Sequence, residues 1–248
     1  RPNMQGAWHA TMKRWVHVVD REDVLDLPEW TQRVIRVPMS TKGKAAYEKM
    51  RKFLAAECDV TGEDFAAAAE GKTQKLRQMA SGWCYDDDKN VIETGCKAKQ
   101  NELEQILDQI GKDEACVIWI QFRETARRLS EVIESRGESV ASLIGGVEDV
   151  AGIVRDFQAG KIKRLLCHPQ TVGHGVTLTK ACYEVWYETP WSAELYSQGK
   201  DRINRNGQTR PMTSYVIQAE GTVDPRVFDV ATGKVAKMDA MRMAIKGE

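Results

Sequence analysis

One polar segment near the carboxyl end of the chain places an amide and two guanidinium groups at helical spacing. Read as a helix, it puts Gln198, Arg202 and Arg205 at positions i, i+4 and i+7, on one face. Asn206 and Gly207 predict the end of this helix. Two guanidiniums that point the same way suit an oxyanion such as a phosphate. A solvated basic face with acidic neighbours is the alternative interpretation.

A glycine-bearing segment follows a predicted buried strand and is a second candidate ligand site. Gly173 and Gly175 would let backbone amides approach a ligand closely, at the strand end where α/β sheets bind ligands. The segment fails as a dinucleotide fingerprint, because Leu178 stands where a third glycine is needed. A tight turn between strand and helix is the alternative. No metal site is predicted, because zinc spacing is absent among the possible ligands Cys167, His168, His174 and Cys182.

Polar and basic residues end two further predicted strands. Gln121 and Arg123 stand at the end of the first parallel strand, and Gly145 and Gly146 follow the next one. If the strands are parallel, these residues share a sheet edge with the glycine-bearing segment. Such a rim could hold a sugar-phosphate backbone. Ordinary strand-end turns are the alternative.

One apparent nucleotide motif is a decoy. Residues 66–73 read A-A-A-A-E-G-K-T and end like a phosphate-binding loop. That loop needs glycine at its first position and a buried strand before it, whereas an alanine-rich helical stretch precedes this segment. The sequence has no other G-K-T or G-K-S and no D-E-x-H or D-E-x-D. We therefore expect this chain to lack the groups that cradle a triphosphate and its magnesium.

The hydrophobic periodicity predicts a helical first half followed by alternating strands and helices. A strand over 31–38 precedes helices over 43–56, 63–82 (broken near Gly71) and 101–110, with a loop or short hairpin over 84–98. Helices then alternate with buried strands over 115–122, 139–144, 164–167, 184–188 and 214–218, and a last helix interrupted near Gly233 spans 225–246. This pattern predicts an α/β fold with a parallel, doubly wound sheet flanked by helices.

Composition limits the possible partners and compartments. Lys plus Arg and Asp plus Glu both number 36, so any nucleic-acid contact would come from a local basic patch. The six cysteines form no C-x-x-C pair, and no signal peptide or membrane-spanning run is visible. We expect a reduced, intracellular compartment. The start at Arg1 suggests a fragment.

Taken together, these segments resemble the second, C-terminal RecA-like lobe of a Swi/Snf-type superfamily-two DNA helicase or translocase, of the phage or bacterial type. Q-G-K-D-R-I-N-R-N-G-Q at 198–208 matches the last motif of that family, Q-x-x-D-R-x-H-R-x-G-Q. The resemblance covers about residues 20–230. The other matching segments are V-L-D-L-P at 24–28, V-I-W-I-Q-F at 117–122, T-V-G-H-G-V-T-L at 171–178 and G-T-V-D at 221–224.

The resemblance implies an ATP-driven motor on double-stranded DNA, with ATP and magnesium held mainly by an N-terminal RecA-like lobe. Arg205 would be the arginine finger and Arg202 its neighbour, both reaching the γ-phosphate, and a positioned guanidinium is worth roughly 10³–10⁵ in rate. Gln198, Gly173 and Gly175 would take part in cofactor binding. The implied nucleic-acid contacts are Gln121, Arg123, Gly145, Gly146, Thr171 and His174.

This sequence departs from the family pattern at three motif positions. Asn204 replaces the usual histidine, Asn206 a common apolar residue, and Thr177 the usual asparagine. Because asparagine still hydrogen-bonds locally, we expect coupling to be tuned rather than lost.

The resemblance also predicts a division of the chain. Residues 1–38 would be a remnant of the first lobe and connector, 39–111 a helical insertion and 112–248 the helicase lobe with its C-terminal helix. Alone, the chain should not hydrolyse ATP. It would act in the cytoplasm of a bacterial or phage-infected cell, or in the nucleus of a eukaryote. An NTP-independent nucleic-acid-binding or protein-docking module is the alternative.

Overall fold

A six-stranded parallel sheet positions the candidate residues. The computed structural model describes residues 27–58, 65–86, 88–172 and 175–236. Within it the sheet order is β1-β8-β7-β4-β6-β5, and β2 and β3 form a separate antiparallel hairpin. The predicted α/β class and parallel sheet are confirmed. The strands are β1 (Trp30–Val37), β2 (Trp83–Tyr85), β3 (Val91–Glu93), β4 (Cys116–Trp119), β5 (Val140–Leu143), β6 (Arg164–Cys167), β7 (Tyr183–Trp186) and β8 (Met212–Ala219).

Seven helices lie in the described part of the chain. The sequence prediction of a break near Gly71 is wrong, because one helix runs through this residue. The G-K-T decoy therefore lies inside a helix rather than in a loop after a strand. The helices are α1 (Thr41–Cys58), α2 (Phe65–Ala80), α3 (Ala98–Ile110), α4 (Arg123–Ser135), α5 (Val150–Gln158), α6 (Ala193–Ile203) and α7 (Asp224–Ala231).

Both faces of the sheet are buried, as the continuous apolar runs predict. Along β4, Val117 and Trp119 pack on the face covered by α5, α6 and α7. Cys116 and Ile118 pack on the opposite face, which α3 and α4 cover. Alternating side chains of a strand point to opposite faces, so a strand buried on both sides is mostly apolar along its length.

The helices α1 and α2 form a third apolar cluster outside the sheet. Tyr47 and Leu76 pack there with Ala219 and Val223, at the end of β8 and before α7. The Tyr47 hydroxyl accepts a hydrogen bond from the Val223 N–H at 2.8 Å. The first half of the chain is thus packed against the lobe. The predicted division at residues 38 and 111 stays a prediction, although β1 pairs with β8 along its length.

Several predictions on the chain ends fall outside the described residues. These are the predictions on residues 1–26 and on the last helix beyond residue 236. α7 already ends at Ala231, before Gly233. The five cysteines with described side chains are free thiols. Among the described helices, none is both long enough and apolar enough to cross a bilayer.

Candidate functional site

The helix α6 carries Gln198 and Arg202 but ends before Arg205, earlier than predicted. The Ser192 side chain caps its start by accepting a hydrogen bond from the Leu195 N–H at 3.2 Å. The prediction that the helix continues to Asn206 is wrong, because it ends at Ile203. The Arg202 carbonyl accepts a hydrogen bond from the Leu178 N–H at 2.8 Å, which replaces the next helical bond.

Arg202 and Arg205 lie beside the end of the glycine loop, the segment of residues 171–178. The first Nη of Arg205 is 3.4 Å from both the Val176 carbonyl and the Thr177 hydroxyl. Arg202 is 8% exposed. Burial lowers the pKa of Arg202, the positive charge of Arg205 lowers it further, and the negative charge of Asp201 opposes them. Among the described residues, no carboxylate forms an ion pair with either guanidinium, so the pair suits an anion.

The other predicted cofactor residues are placed less directly. Gln198 donates its amide to Glu194 at 2.9 Å, so this amide is paired within α6. Gly175 has φ of +99°, a left-handed conformation that favours glycine. Gly173 lies outside the described residues.

Gln208, a buried residue of the last motif, has a structural role that was not predicted from its sequence context. Its amide donates to the carbonyls of Thr179 at 3.2 Å and Ala181 at 2.7 Å. It therefore ties the chain after the arginines to the chain after the glycine loop. Its place in the motif was the available signal.

A depression at the carboxyl ends of β4, β5 and β6 brings together most of the predicted nucleic-acid residues. We call it the strand-end depression; its volume is ≈ 400 Å³. Arg123 donates to the Gly145 carbonyl at 2.8 Å and so bridges two strand ends. Gly146 adjoins the same guanidinium, and His174 lies outside the described residues. The lining residues are Gln121, Arg123, Ile144, Gly145, His168, Gln170 and Thr171.

The charge of this depression comes from arginine rather than histidine. Burial, and then the positive charge of Arg77, lower the pKa of His168. Arg123 is exposed at the rim. Two of the possible zinc ligands lie far apart along the strands, because Cys167 ends β6 whereas Cys182 precedes the start of β7. The described residues contain no group of three metal-ligating side chains.

A buried carboxylate next to this depression was missed. Glu188 lies two residues after the buried strand β7 and is 4% exposed. It hydrogen-bonds to the start of α4 through the backbone of Gln121 and Phe122. Its place as the acidic last residue of the predicted strand over 184–188 was the available signal.

Comparisons with known proteins agree with the fold. Residues 98–207 match the family described as the helicase conserved C-terminal domain. The chain is 28% identical over 234 residues to the putative protein p41 of Acyrthosiphon pisum secondary endosymbiont phage 1, covering 92% of this chain and 49% of that protein. It is 31% identical over 221 residues to the chromatin-remodeling ATPase INO80 of Vanderwaltozyma polyspora, covering 87% of this chain and 13% of INO80.

A solved structure has the same fold. The Sulfolobus solfataricus SWI2/SNF2 ATPase core in complex with double-stranded DNA superposes with a TM-score of 0.65 at 19% identity, covering 99% of this chain and 53% of that chain. The present chain thus spans about half the length of the phage protein and of this ATPase core. Residues 98–207 thus match the helicase conserved C-terminal domain, and the chain is similar to the C-terminal lobe of Snf2-type (Swi/Snf-type) superfamily-two helicases.

Proposed function

We propose that this chain supplies arginine side chains to an ATP site that it completes together with another RecA-like lobe. The observation that carries the proposal is the pair Arg202 and Arg205, which lies beside the glycine loop without a carboxylate ion pair among the described residues. Negative charge spreads over the phosphoryl oxygens during phosphoryl transfer, and a positioned guanidinium stabilises it. The name of the INO80 relative, a chromatin-remodeling ATPase, supports this assignment.

ATP and magnesium would be held mainly by the other lobe. Residues 66–73 lie in α2, so they offer no phosphate loop. On this chain, Arg205 and Arg202 would face the γ-phosphate, with Gln198, Gly173 and Gly175 beside them. Bound ATP supplies the phosphoryl group; the two arginines would orient it and offset its charge.

The strand-end depression would contact the backbone of double-stranded DNA. Arg123 supplies its exposed positive charge, and Gln121, Gly145, Gly146 and Thr171 supply polar groups around it. His174 would add to the same contact. Phosphate contacts position a protein on DNA without reading its sequence. The double-stranded DNA bound by the similar Sulfolobus ATPase core supports this partner.

The arginine role is tested by Arg205→Ala in the full-length protein. Steady-state ATP turnover should fall by roughly 10³–10⁵, because the variant removes a transition-state contact. The affinity for a labelled ATP analogue should stay near the wild-type value. Arg210→Ala is the matched control, since Arg210 pairs with Glu114 at 2.8 Å on the exposed surface; its turnover should be unchanged. Wild-type turnover in Arg205→Ala would remove Arg205 from this role.

A second measurement tests whether the site is shared between two lobes. The chain of 248 residues alone should show no ATP hydrolysis, with or without magnesium and DNA. Magnesium- and DNA-dependent hydrolysis by this chain alone would contradict the proposal.

A further inference from the structure

The buried carboxylate of Glu188 holds the backbone that carries the rim of the strand-end depression. One oxygen accepts hydrogen bonds from the N–H groups of Gln121 at 2.7 Å and Phe122 at 3.2 Å. A buried charge is costly unless donors satisfy it, and a negative charge is favoured at a helix N-terminus. Glu188 therefore fixes where α4 begins and where Arg123, its first residue, leaves the backbone.

The second oxygen of Glu188 connects this rim to the helical first half of the chain. It accepts hydrogen bonds from the hydroxyls of Thr125 in α4 and Ser81 after α2, both at 2.7 Å. The Trp83 indole donates to the same Thr125 hydroxyl at 3.1 Å. One carboxylate thus joins the end of α2, the end of β7 and the first turn of α4.

Arg77 of α2 forms a second connection between the same segments. It is 6% exposed, and its guanidinium donates to the Thr189 carbonyl at 2.6 Å. The same guanidinium lies 5.3 Å from the centre of the Phe122 ring. α2 is therefore fixed both to the chain after β7 and to the residue that precedes Arg123.

These contacts bear on one functional group. Among the residues that line the depression, Arg123 is the arginine, and its guanidinium reaches 2.8 Å to the Gly145 carbonyl. We infer that Glu188 is a positioning residue, which ties the start of α4 to the end of α2 and thereby places Arg123 so that its guanidinium meets the DNA backbone. This inference rests on the proposed function of the depression. It assigns the helical first half of the chain a part in DNA contact.

The test is a double-mutant cycle on the chain as it stands, measured by anisotropy with a short fluorescein-labelled DNA duplex over a range of salt concentrations. Arg123→Ala should lower the slope of log affinity against log salt by about 1, the share of one phosphate contact. Glu188→Gln should produce the same reduction, because an amide has only one acceptor oxygen. Its NH2 group would then face donors, so the start of α4 and with it Arg123 would no longer be fixed. The double variant should lose no more than either single variant.

Non-additivity separates positioning from general destabilisation, which would add to the loss from Arg123→Ala. Glu184→Gln is the matched control: this buried carboxylate lies in β7 itself, and the same substitution there should leave the salt slope unchanged. Should Glu188→Gln fail to fold by circular dichroism, Ser81→Ala removes one donor only and should give a smaller loss in the same direction.

The outcomes distinguish the two proposals. Wild-type DNA binding by Arg123→Ala would overturn both the DNA contact and the positioning role of Glu188. A weakened Arg123→Ala beside an unchanged Glu188→Gln, or an unchanged Ser81→Ala where it replaces Glu188→Gln, would overturn the positioning role alone. Additive losses in the double variant would also overturn it.

Discussion

The close packing of α6 on the sheet predicts that adding one methyl group, in Gly199→Ala, destabilises the chain. Gly199 faces the sheet, and a Cβ placed there would lie 2.6 Å from the Trp186 ring and 3.4 Å from the Trp119 ring. The two indoles are fully buried and stacked, with centroids 5.0 Å apart and planes at 21°. Tyr196 covers Trp186 from the side, with centroids 4.5 Å apart. The rings therefore have little room to move.

The magnitude follows from the distances. Carbon atoms pack best at about 3.5–4.0 Å, so Gly199→Ala should push α6 from the sheet by about 1 Å. Overpacking of this kind costs about 1–3 kcal/mol, and the better helix propensity of alanine offsets about 1 kcal/mol. The net loss should be about 1 kcal/mol, which lowers the Tm by roughly 2–4 °C for a chain of this size.

Gly71 is the matched control, because it lies in α2 and a Cβ there would meet nothing within 4 Å. Gly71→Ala should gain about 1 kcal/mol from helix propensity, so the two variants should shift the Tm in opposite directions. Thermal unfolding followed by circular dichroism measures both. A rise in Tm for Gly199→Ala equal to that for Gly71→Ala would refute the packing argument.

Two further substitutions test the core. Burial raises the pKa of the Glu184 carboxyl above its ordinary 4.5, so the folded chain keeps this proton at pH values where the unfolded chain has lost it. The free energy of unfolding therefore falls as the pH rises above 4.5. The glutamine of Glu184→Gln does not titrate, so the Tm of this variant relative to wild type should be higher at pH 8 than at pH 5. The corresponding difference in the free energy of unfolding amounts to about 1.4 kcal/mol for each unit by which the pKa is raised, and an equal relative Tm at both pH values would count against this. The fully buried Arg164 donates hydrogen bonds to Glu138 at 2.6 Å and to two backbone carbonyls. Arg164→Met leaves the Glu138 carboxylate buried without this partner, so the free energy of unfolding in urea should fall by about 3–5 kcal/mol. A fall of less than about 1 kcal/mol would show these hydrogen bonds to be dispensable.

Much of the fold is predictable because local periodicity reports burial. The strand over 164–167 has the same bounds in sequence and structure, since Leu165, Leu166 and Cys167 form a short apolar run that is buried. Errors arise where distant contacts decide the backbone. The helix α6 ends at Ile203 because Leu178 takes the Arg202 carbonyl, and no local pattern contains that bond. The helix α2 continues through Gly71 because Leu76, further along it, is packed against α1.

The candidate sites were predictable to the extent that strand ends define them. Parallel strands bring their carboxyl ends to one edge, so Gln121, Gly145 and Thr171 meet in the depression, as expected. The role of Glu188 was not predictable, because its hydrogen-bond donors come from segments up to 107 residues away in sequence. The hydrophobic periodicity around a charged residue does not indicate which distant residues will donate hydrogen bonds to it.

The stacked indoles of Trp119 and Trp186 beneath α6 also give a spectroscopic signal. Two stacked chromophores with centroids 5.0 Å apart and planes inclined at 21° couple their electronic transitions, and wherever their transition dipoles are not parallel this splits the ultraviolet circular dichroism into a couplet. The size and sign of that couplet depend on the separation and angle of the rings. Because Gly199 places α6 directly on Trp186, a shift of this helix alters the couplet. The chain thus carries its own spectroscopic reporter for movement of α6, the helix that carries Arg202.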